Sequence, residues 1–207
     1  MNIESLKEQA PKKKVLCIGG SPRKGGNTDC IMDAFTNPIQ ESLSTETIKL
    51  RDYYFQPCIG CERCRKDKRC TGLNDAMQLI YPKIIESQGL VLVSPTHHYN
   101  VTSWMKSFID RLYCFYDFGN DVPRSWSSRL SGQGRKAVVI AVCEQRDKKD
   151  MGFTLEAMRL PLEALGYDIV DELAIFKLFK RGAVKAENQV VDQITKIAEK
   201  MAGLVNS

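Results

Sequence analysis

Residues 15–28, which read VLCIGGSPRKGGNT, constrain the fold more than any other stretch of the chain. They begin as a short apolar run, which is typical of a buried parallel strand, and then break into a turn of Gly, Ser and Pro. From Asn27 onward the apolar residues recur at near-helical spacing. A strand, a small-residue turn and a helix N-terminus in this order direct backbone N–H groups and the positive helix end at one point. The stretch therefore predicts an anion-binding site.

The turn in this stretch differs from two familiar phosphate motifs. A Walker motif has Lys and then Ser or Thr after its second Gly, whereas Gly25 is followed by Gly26 and Asn27. The dinucleotide motif G-x-G-x-x-G is absent as well. The turn therefore predicts a site for a terminal monophosphate that needs no metal, such as that of FMN; the alternative is a turn that serves only the fold. Four side chains can supply donors or charge there, namely Ser21, Arg23, Asn27 and Thr28.

Length and composition exclude several classes of protein. With 207 residues, 43% of them hydrophobic and 27% charged, the sequence predicts a single globular domain over 13–207 after a polar tail at 1–12. No apolar run approaches the length of a membrane span, and the N-terminus lacks the apolar core of a signal peptide. We therefore expect a cytoplasmic protein that does not bind membranes. A net charge of +5 is too modest to predict nucleic acid binding.

Eight cysteines are many for a chain in a reducing compartment, where disulfides are disfavoured. Four of them lie in a cysteine-rich loop at 57–73, with the spacing Cys58-x2-Cys61-x2-Cys64-x5-Cys70. This spacing allows four thiolates to converge on one centre, and the basic neighbours at 63–69 are expected to lower the thiol pKa values. The other four stand singly among apolar residues and are expected to be small core side chains: Cys17, Cys30, Cys114 and Cys143.

Apolar runs and helical patterns alternate along the chain. Strands are predicted at 15–19, 45–50, 89–94, 136–143 and 167–173. Helices are predicted at 28–43, where Pro38 is expected to interrupt the helix or end it early, from Asn74, from Ser103, at 152–165 and at 185–204, with a long polar loop at 117–135. The alternation predicts an α/β fold of the flavodoxin-like type, with a five-stranded parallel sheet of order 2-1-3-4-5 and helices on both faces. That order places FMN between the first and third strands, where the turn at 21–28 and the loop at 95–100 meet.

Three motifs carry a resemblance to a known family. The turn GSPRKGGNT at 20–28 resembles the phosphate loop of the NADPH-dependent FMN reductase family. The flavin-ring segment of that family is similar to a string in this chain, Ser94-Pro95-Thr96 followed by Lys106 and Phe108-Ile109-Asp110-Arg111. The cysteine spacing resembles the compact motif of the iron–sulfur flavoprotein branch of the family.

The resemblance implies an FMN site in which the flavin, rather than a catalytic side chain, carries the chemistry. The four side chains already named at 21–28 are expected to hold the phosphate. The isoalloxazine ring is expected to lie against Pro95, Thr96, His97, His98, Tyr99 and Asn100, with Cys143 and Glu144 on a third wall. The family usually has Tyr where this chain has His97, and often glycines where it has 143–145, so the ring contacts are expected to differ.

For the cysteine-rich loop, the resemblance implies a [4Fe–4S] cluster held by Cys58, Cys61, Cys64 and Cys70. Two other interpretations stay open. One is a loop without a cluster, and the other is structural zinc or disulfides.

The expected function is that of an FMN-binding oxidoreductase that passes electrons between a reductant, either NAD(P)H or a reduced iron–sulfur protein, and an acceptor. One alternative is a cluster-free NAD(P)H-dependent FMN or quinone reductase. An alternative of another class is a passive electron carrier or a metal-binding module. The expected partners are small-molecule or protein electron donors and acceptors, and the resemblance implies a homodimer or homotetramer.

Overall fold

The computed structural model describes residues 11–207, so most of the predicted tail at 1–12 lies outside the described residues. Seven strands are present in this part of the chain: β1 (Lys14–Gly19), β2 (Ser44–Lys49), β3 (Gly89–Pro95), β4 (Tyr116–Phe118), β5 (Trp126–Ser128), β6 (Lys136–Val142) and β7 (Asp168–Ile175). Seven α-helices accompany them: α1 (Asn27–Thr36), α2 (Arg63–Asp67), α3 (Met77–Glu86), α4 (Ser103–Arg111), α5 (Lys148–Met151), α6 (Thr154–Ala164) and α7 (Asn188–Asn206). Across residues 11–207, no helix is both long and apolar enough to cross a membrane.

Five of the strands form one parallel sheet in the order β2-β1-β3-β6-β7. Counted within this sheet alone, the order is 2-1-3-4-5, so the predicted fold is confirmed. The connection after β1 leads outward to β2, whereas the next connection returns past β1 to β3. Because the chain changes direction here, a crevice opens between the carboxyl ends of β1 and β3.

The side chains of the sheet alternate between two apolar layers. Leu16 and Ile18 of β1 face the layer that α3, α4 and α6 cover, while Val15 and Cys17 face the layer that α1 and α7 cover. All four side chains are fully buried. This is expected of a parallel sheet with helices on both faces, because each strand is covered on both sides. The rigid sheet fixes the positions of the loops at its carboxyl edge.

The five predicted strands agree with the structure to within two residues at each end, but three other details differ. Helix α1 ends at Thr36, because Pro38 lies in a short 3-10 turn. Helix α3 begins at Met77 rather than near Asn74, and its start is fixed by a hydrogen bond from the Met77 N–H to Asp75. The predicted polar loop at 117–135 contains a two-stranded antiparallel hairpin of β4 and β5, in which Tyr116 of β4 packs edge-on against Trp126 of β5.

The N-terminus of α4 packs directly on the end of β1. Thr102 caps the helix: its hydroxyl accepts from the Met105 N–H at 3.2 Å and donates to the Gly20 carbonyl at 2.7 Å. A Cβ atom at Gly20 would lie 2.8 Å from the Cβ of Met105. Glycine at position 20 therefore permits the close approach of helix and strand beside the crevice.

We predict that Gly20→Ala lowers the free energy of unfolding by about 1–3 kcal/mol, because the added methyl group forces α4 away from β1. Gly203→Ala is a matched control in α7, where an added Cβ meets no atom within 4 Å. It is expected to leave stability unchanged or raise it by up to ~1 kcal/mol through helix propensity. Urea unfolding followed by circular dichroism measures both, and a Gly20→Ala variant as stable as the parent chain would contradict the prediction.

Candidate functional site

A cavity of about 410 Å³ lies at the crevice between β1 and β3. Its walls come from the turn after β1, the loop after β3, the end of β6 and the segment after β7. Nine of the twelve predicted cofactor-binding residues line it: Ser21, Arg23, Asn27, Thr28, Pro95, Thr96, His97, His98 and Glu144. A volume of this size lies within the range of small-ligand pockets.

The turn after β1 presents the start of α1 to this cavity. The N–H groups in the first turn of a helix have no carbonyl partner within the helix. The hydroxyl-bearing side chains of Ser21 and Thr28 are buried beside them and line the cavity. Gly25 has a φ of 62°, the left-handed conformation that favours glycine. The turn therefore has the properties of an anion site, because it brings together backbone N–H groups, two hydroxyl groups and the N-terminal end of α1.

A buried ion pair holds this turn in place. Asp29 in α1 accepts hydrogen bonds from the two terminal nitrogens of Arg51, at 2.9 and 2.7 Å, and from the Gly25 N–H at 2.8 Å. Arg51 also donates to the carbonyl oxygens of Ser21 and Arg23, at 3.1 and 3.3 Å. The arginine therefore fixes the turn and neutralises a carboxylate that would otherwise repel an anion. No sequence motif signals this role, because Arg51 and Asp29 are 22 residues apart.

The ion pair also sets the charge state of both partners. Burial by itself would raise the pKa of Asp29, but the hydrogen bonds from Arg51 and Gly25 outweigh it and hold that pKa below its usual value. The same hydrogen bond raises the pKa of Arg51. The carboxylate and the guanidinium are therefore both charged at neutral pH.

The loop after β3 folds into a tight turn. The backbones of His97 and Asn100 exchange hydrogen bonds of 2.8 and 3.1 Å, and the φ angles of His98 and Tyr99 between them are 49° and 64°. Both histidines line the cavity, whereas Tyr99 is 58% exposed and the side chain of Asn100 accepts from the Val101 N–H. Two consecutive non-glycine residues with positive φ store strain, and such strain is concentrated at binding sites.

The pKa of His97 differs from its ordinary value. Burial, with a smaller effect of the Arg23 charge, lowers the pKa of His97. The imidazole is therefore neutral at pH 7, with one nitrogen that donates a hydrogen bond and one that accepts.

A fourth wall of the cavity comes from residues 176–184, which we call the strap and which no sequence pattern predicted. The strap begins beside the third wall, where the Leu178 N–H donates to the Cys143 carbonyl at 3.2 Å. It ends at α1, where the Val184 N–H donates to the side-chain oxygen of Asn27 at 3.1 Å. Cys143, a predicted cofactor contact, is buried and does not line the cavity. The strap therefore joins the third wall to the phosphate turn.

Further contacts fix the strap against the phosphate turn. The side-chain nitrogen of Asn27 donates to the Lys180 carbonyl at 3.1 Å, and the Arg23 guanidinium lies 4.9 Å from the ring centroid of Phe179. Arg181 lines the cavity together with Arg23, so two arginines far apart in sequence contribute positive charge to it. The available sequence signal is the aromatic and basic run at 179–181 between a strand and a helix.

A second cavity, of about 200 Å³, lies within the cysteine-rich loop. Five cysteines line it: Cys58, Cys61, Cys64, Cys70 and Cys114. The last of these was expected to be an isolated core residue. All eight cysteines of the chain are free thiols, so the structure contradicts the disulfide interpretation. Among residues 11–207, no three Cys, His, Asp or Glu side chains are grouped closely enough to hold a single metal ion.

The basic residues of the cysteine-rich loop do not lower the pKa of Cys64. Burial, followed by the neighbouring Cys70 thiol, raises the pKa of Cys64, so the expectation of a lowered pKa is wrong for this residue. Two of the five cations have other partners: Lys68 pairs with Asp117 at 2.6 Å, and Arg65 lies over an aromatic ring of β4. The local field at Cys64 is therefore set by burial and sulfur rather than by positive charge.

Arg111 reaches the cysteine cavity from the end of α4. The resemblance assigned the string that ends in Arg111 to the flavin-ring segment, but the structure places its guanidinium among the cysteines. The side chain is fully buried and forms an ion pair with Asp75, at 2.6 and 3.1 Å. Its second terminal nitrogen lies 3.4 Å from the sulfur of Cys70. Of this string, Pro95 and Thr96 line the first cavity, whereas Arg111 lines the second.

Comparison with known sequences gives one family and a group of partial relatives. The sequence profile described as NADPH-dependent FMN reductase matches residues 13–148. An iron-sulfur flavoprotein of Methanocaldococcus jannaschii is 36% identical over 99 residues, which are 47% of this chain and 51% of that protein. An iron-sulfur flavoprotein of Archaeoglobus fulgidus is 34% identical over 100 residues, which are 48% of this chain and 45% of that protein. The chain spans about half the length of the curated relatives it matches.

Solved structures share the fold at low sequence identity. A flavone reductase superposes with a TM-score of 0.67 at 13% identity, over 94% of this chain and 63% of that one. An FMN-dependent NADH-azoreductase from Bacillus anthracis, in complex with FMN, superposes with a TM-score of 0.63 at 16% identity, over 92% of this chain and 99% of that one. Identities this low show the common fold alone.

The two buried carboxylates of the site predict how stability depends on pH. Burial by itself would raise the pKa of Asp75, but hydrogen bonds from Arg111 and from the N–H groups of Gln56 and Met77 hold it below its usual value. Because Asp29 and Asp75 both have pKa values below the ~3.9 of an unfolded chain, the unfolded state binds more protons as the pH falls. We expect the free energy of unfolding from urea titrations to fall slightly between pH 7 and 5, because the lowered pKa of His97 also favours protonation of the unfolded state, and to fall more steeply below about pH 4.

The matched variant for this prediction is Asp29→Asn, which removes one of the two titrating groups. Its loss of stability per pH unit below about pH 4 is expected to be shallower than that of the parent chain, by at most ~1.4 kcal/mol. Stability that rises on acidification would contradict the assignment of both pairs.

Proposed function

Because the chain belongs to the NADPH-dependent FMN reductase family, we propose that it is an oxidoreductase whose FMN occupies the cavity between β1 and β3. The observation that carries this proposal is the position of the cavity. It lies where the strand order reverses, between the carboxyl ends of β1 and β3, with the anion donors of the turn after β1 and the strained turn after β3 in its walls. FMN supplies hydride and single-electron transfer when bound, and the residues of the chain bind and orient it.

The phosphate end of the cavity fits a phosphate dianion. The start of α1 supplies backbone N–H groups, and Ser21 and Thr28 supply hydroxyl donors. Arg23 and Arg181, which both line the cavity, supply positive charge. The carboxylate of Asp29 lies close by but is paired with a guanidinium, so its repulsion of the phosphate is offset. We assign the phosphate to this end.

The ring end of the cavity is formed by the predicted residues Pro95, Thr96, His97, His98 and Glu144. A neutral His97 can donate a hydrogen bond to the polar edge of the isoalloxazine ring or accept one from it. We assign supporting roles to the three predicted residues that do not line the cavity. Tyr99 and Asn100 shape the turn that orients both histidines, and Cys143 anchors the strap.

The cysteine-rich loop supports the further proposal of a [4Fe–4S] cluster held by Cys58, Cys61, Cys64 and Cys70. Four free thiols lining one cavity match the donor set that such clusters require. The curated relatives carry the name iron-sulfur flavoprotein, and we extend that description to this chain as a proposal. The cluster's role would be to relay single electrons between a partner and the flavin.

A second candidate is a cluster-free NAD(P)H-dependent FMN or quinone reductase, because over residues 11–207 the first cavity shares no lining residue with the cysteine cavity. Within the described part of the chain, the thiols are not grouped closely enough for a single metal ion. A four-iron centre is larger than a single ion, so the wide spacing of the thiols argues against zinc but not against a cluster. Analysis of the purified protein decides between the two candidates.

We propose that the electron donor is NAD(P)H or a reduced iron–sulfur protein and that a small molecule or protein is the acceptor. We also propose a single domain over 13–207 located in the cytoplasm, and a homodimer or homotetramer. Three large exposed apolar side chains support self-association: Trp104 in α4, Phe153 before α6 and Leu160 in α6.

We predict that Arg181→Gln weakens FMN binding about tenfold, because one charge-assisted contact with the phosphate is lost. Riboflavin lacks the phosphate, so its affinity is expected to stay unchanged. Lys180→Gln removes the same charge from the same strap and is the matched control, since the Lys180 side chain does not line the cavity. Fluorescence titration measures the affinities of the parent chain and of both variants for FMN and for riboflavin. Equal losses for FMN and riboflavin, or for both variants, would refute the phosphate contact.

We predict that protein purified without oxygen contains FMN together with about four irons and four sulfides per chain. Cys64→Ser is expected to lose the iron and keep the FMN. Cys30→Ala, a change on the buried face of α1, is expected to keep both. Iron and sulfide assays with a visible spectrum are the measurement. A yellow, iron-free protein that oxidises NADPH would establish the second candidate, and a colourless protein that takes up zinc but not FMN would exclude both.

A further inference from the structure

The buried guanidinium of Arg111 uses all five of its N–H groups, and one of them is directed at sulfur. The Nε–H donates to the Tyr81 hydroxyl at 3.3 Å. Nη1 donates to Asp75 at 2.6 Å and to the Gln56 carbonyl at 2.8 Å. Nη2 donates to the other oxygen of Asp75 at 3.1 Å, and its remaining N–H points at the Sγ of Cys70, 3.4 Å away. Four oxygen acceptors thus fix the plane of the group and aim the fifth donor.

The surroundings of Arg111 keep this geometry rigid. Its side chain is fully buried, and the Asp75 carboxylate that pairs with it also accepts from the N–H groups of Gln56 and Met77. A planar guanidinium with five fixed donors cannot be replaced by an ammonium group, which has three rotating donors on one atom. A purely structural pair would need only Asp75. The contact with Cys70 points instead to a role at the cysteine cavity, which Arg111 lines.

We propose that Arg111 is a positioning residue for the iron–sulfur centre and that its Nη2–H donates to the Cys70 sulfur when this cysteine is a ligand. The inference rests on the proposed cluster. A hydrogen bond to a ligating sulfur orients that ligand and stabilises the more negative, reduced form of the centre, which raises its reduction potential. Because the charge of Arg111 is balanced by Asp75, the effect comes from the directed N–H group rather than from a net positive charge.

Arg111→Lys tests this in anaerobically reconstituted protein. We expect iron to be lost to a chelator about 10–100-fold faster than from the parent protein, and the midpoint potential of the centre to shift to a lower value. Arg135→Lys is the matched control. Arg135 is also a buried arginine, but it bonds to carbonyl oxygens at the end of α3, at Ile84, Ile85 and Ser87. It is expected to change stability without changing the potential.

The outcomes separate this inference from the proposal on which it depends. A parent protein without iron would overturn both. An iron-containing parent whose potential and rate of iron loss are unchanged in Arg111→Lys would overturn the positioning role alone. Should Arg111→Lys not fold, the parent protein labelled with 15N-arginine supplies the measurement. The reduced centre is expected to show a hyperfine coupling to an arginine nitrogen, and its absence would refute the N–H···S contact.

Discussion

The change of direction of the chain at β1 is the constraint on which the rest of the structure depends. The connection after β1 leads to β2 on one side, whereas the connection after β3 leads to β6 on the other, so the two connections diverge and leave a crevice between the carboxyl ends of β1 and β3. The phosphate turn and the strained turn at 97–100 face each other across the gap. Close packing of α4 on Gly20 holds the start of this helix against the end of β1. The proposed cofactor site is therefore a consequence of the topology.

Two buried aspartate–arginine pairs stabilise the two functional loops. The pair of Asp29 and Arg51 holds the phosphate turn, and the pair of Asp75 and Arg111 lies beside the cysteine-rich loop. In each pair the guanidinium also donates to groups of the loop itself, backbone carbonyls in one case and a cysteine sulfur in the other. Removing one partner would leave an unpaired buried charge, which is strongly destabilising. Loop geometry and folding stability are thus coupled at both places.

The sequence predicted the parts of the structure that local patterns determine. Apolar runs located the five sheet strands, and the strand–turn–helix motif at 15–28 located the first cavity, because both signals lie within a few neighbouring residues. The strap, Arg51 and the direction of Arg111 escaped prediction because each depends on partners far along the chain. Asn27, for example, bonds to Lys180 and Val184, which lie 153 and 157 positions further along the chain. The hairpin of β4 and β5 was missed because its strands have only three residues each.

Helix α4 is a single element that joins the end of β1, beside the first cavity, to the cysteine cavity. Thr102 at its start bonds to the end of β1, and Arg111 at its end reaches Cys70. Nine helical residues span roughly 14 Å, and each inserted residue would rotate everything after it by about 100°. A one-residue insertion or deletion in α4 would therefore turn the arginine out of the thiol pocket even if the fold survived. Natural length variation between the two sites is consequently limited to whole helical turns or to the loops outside α4.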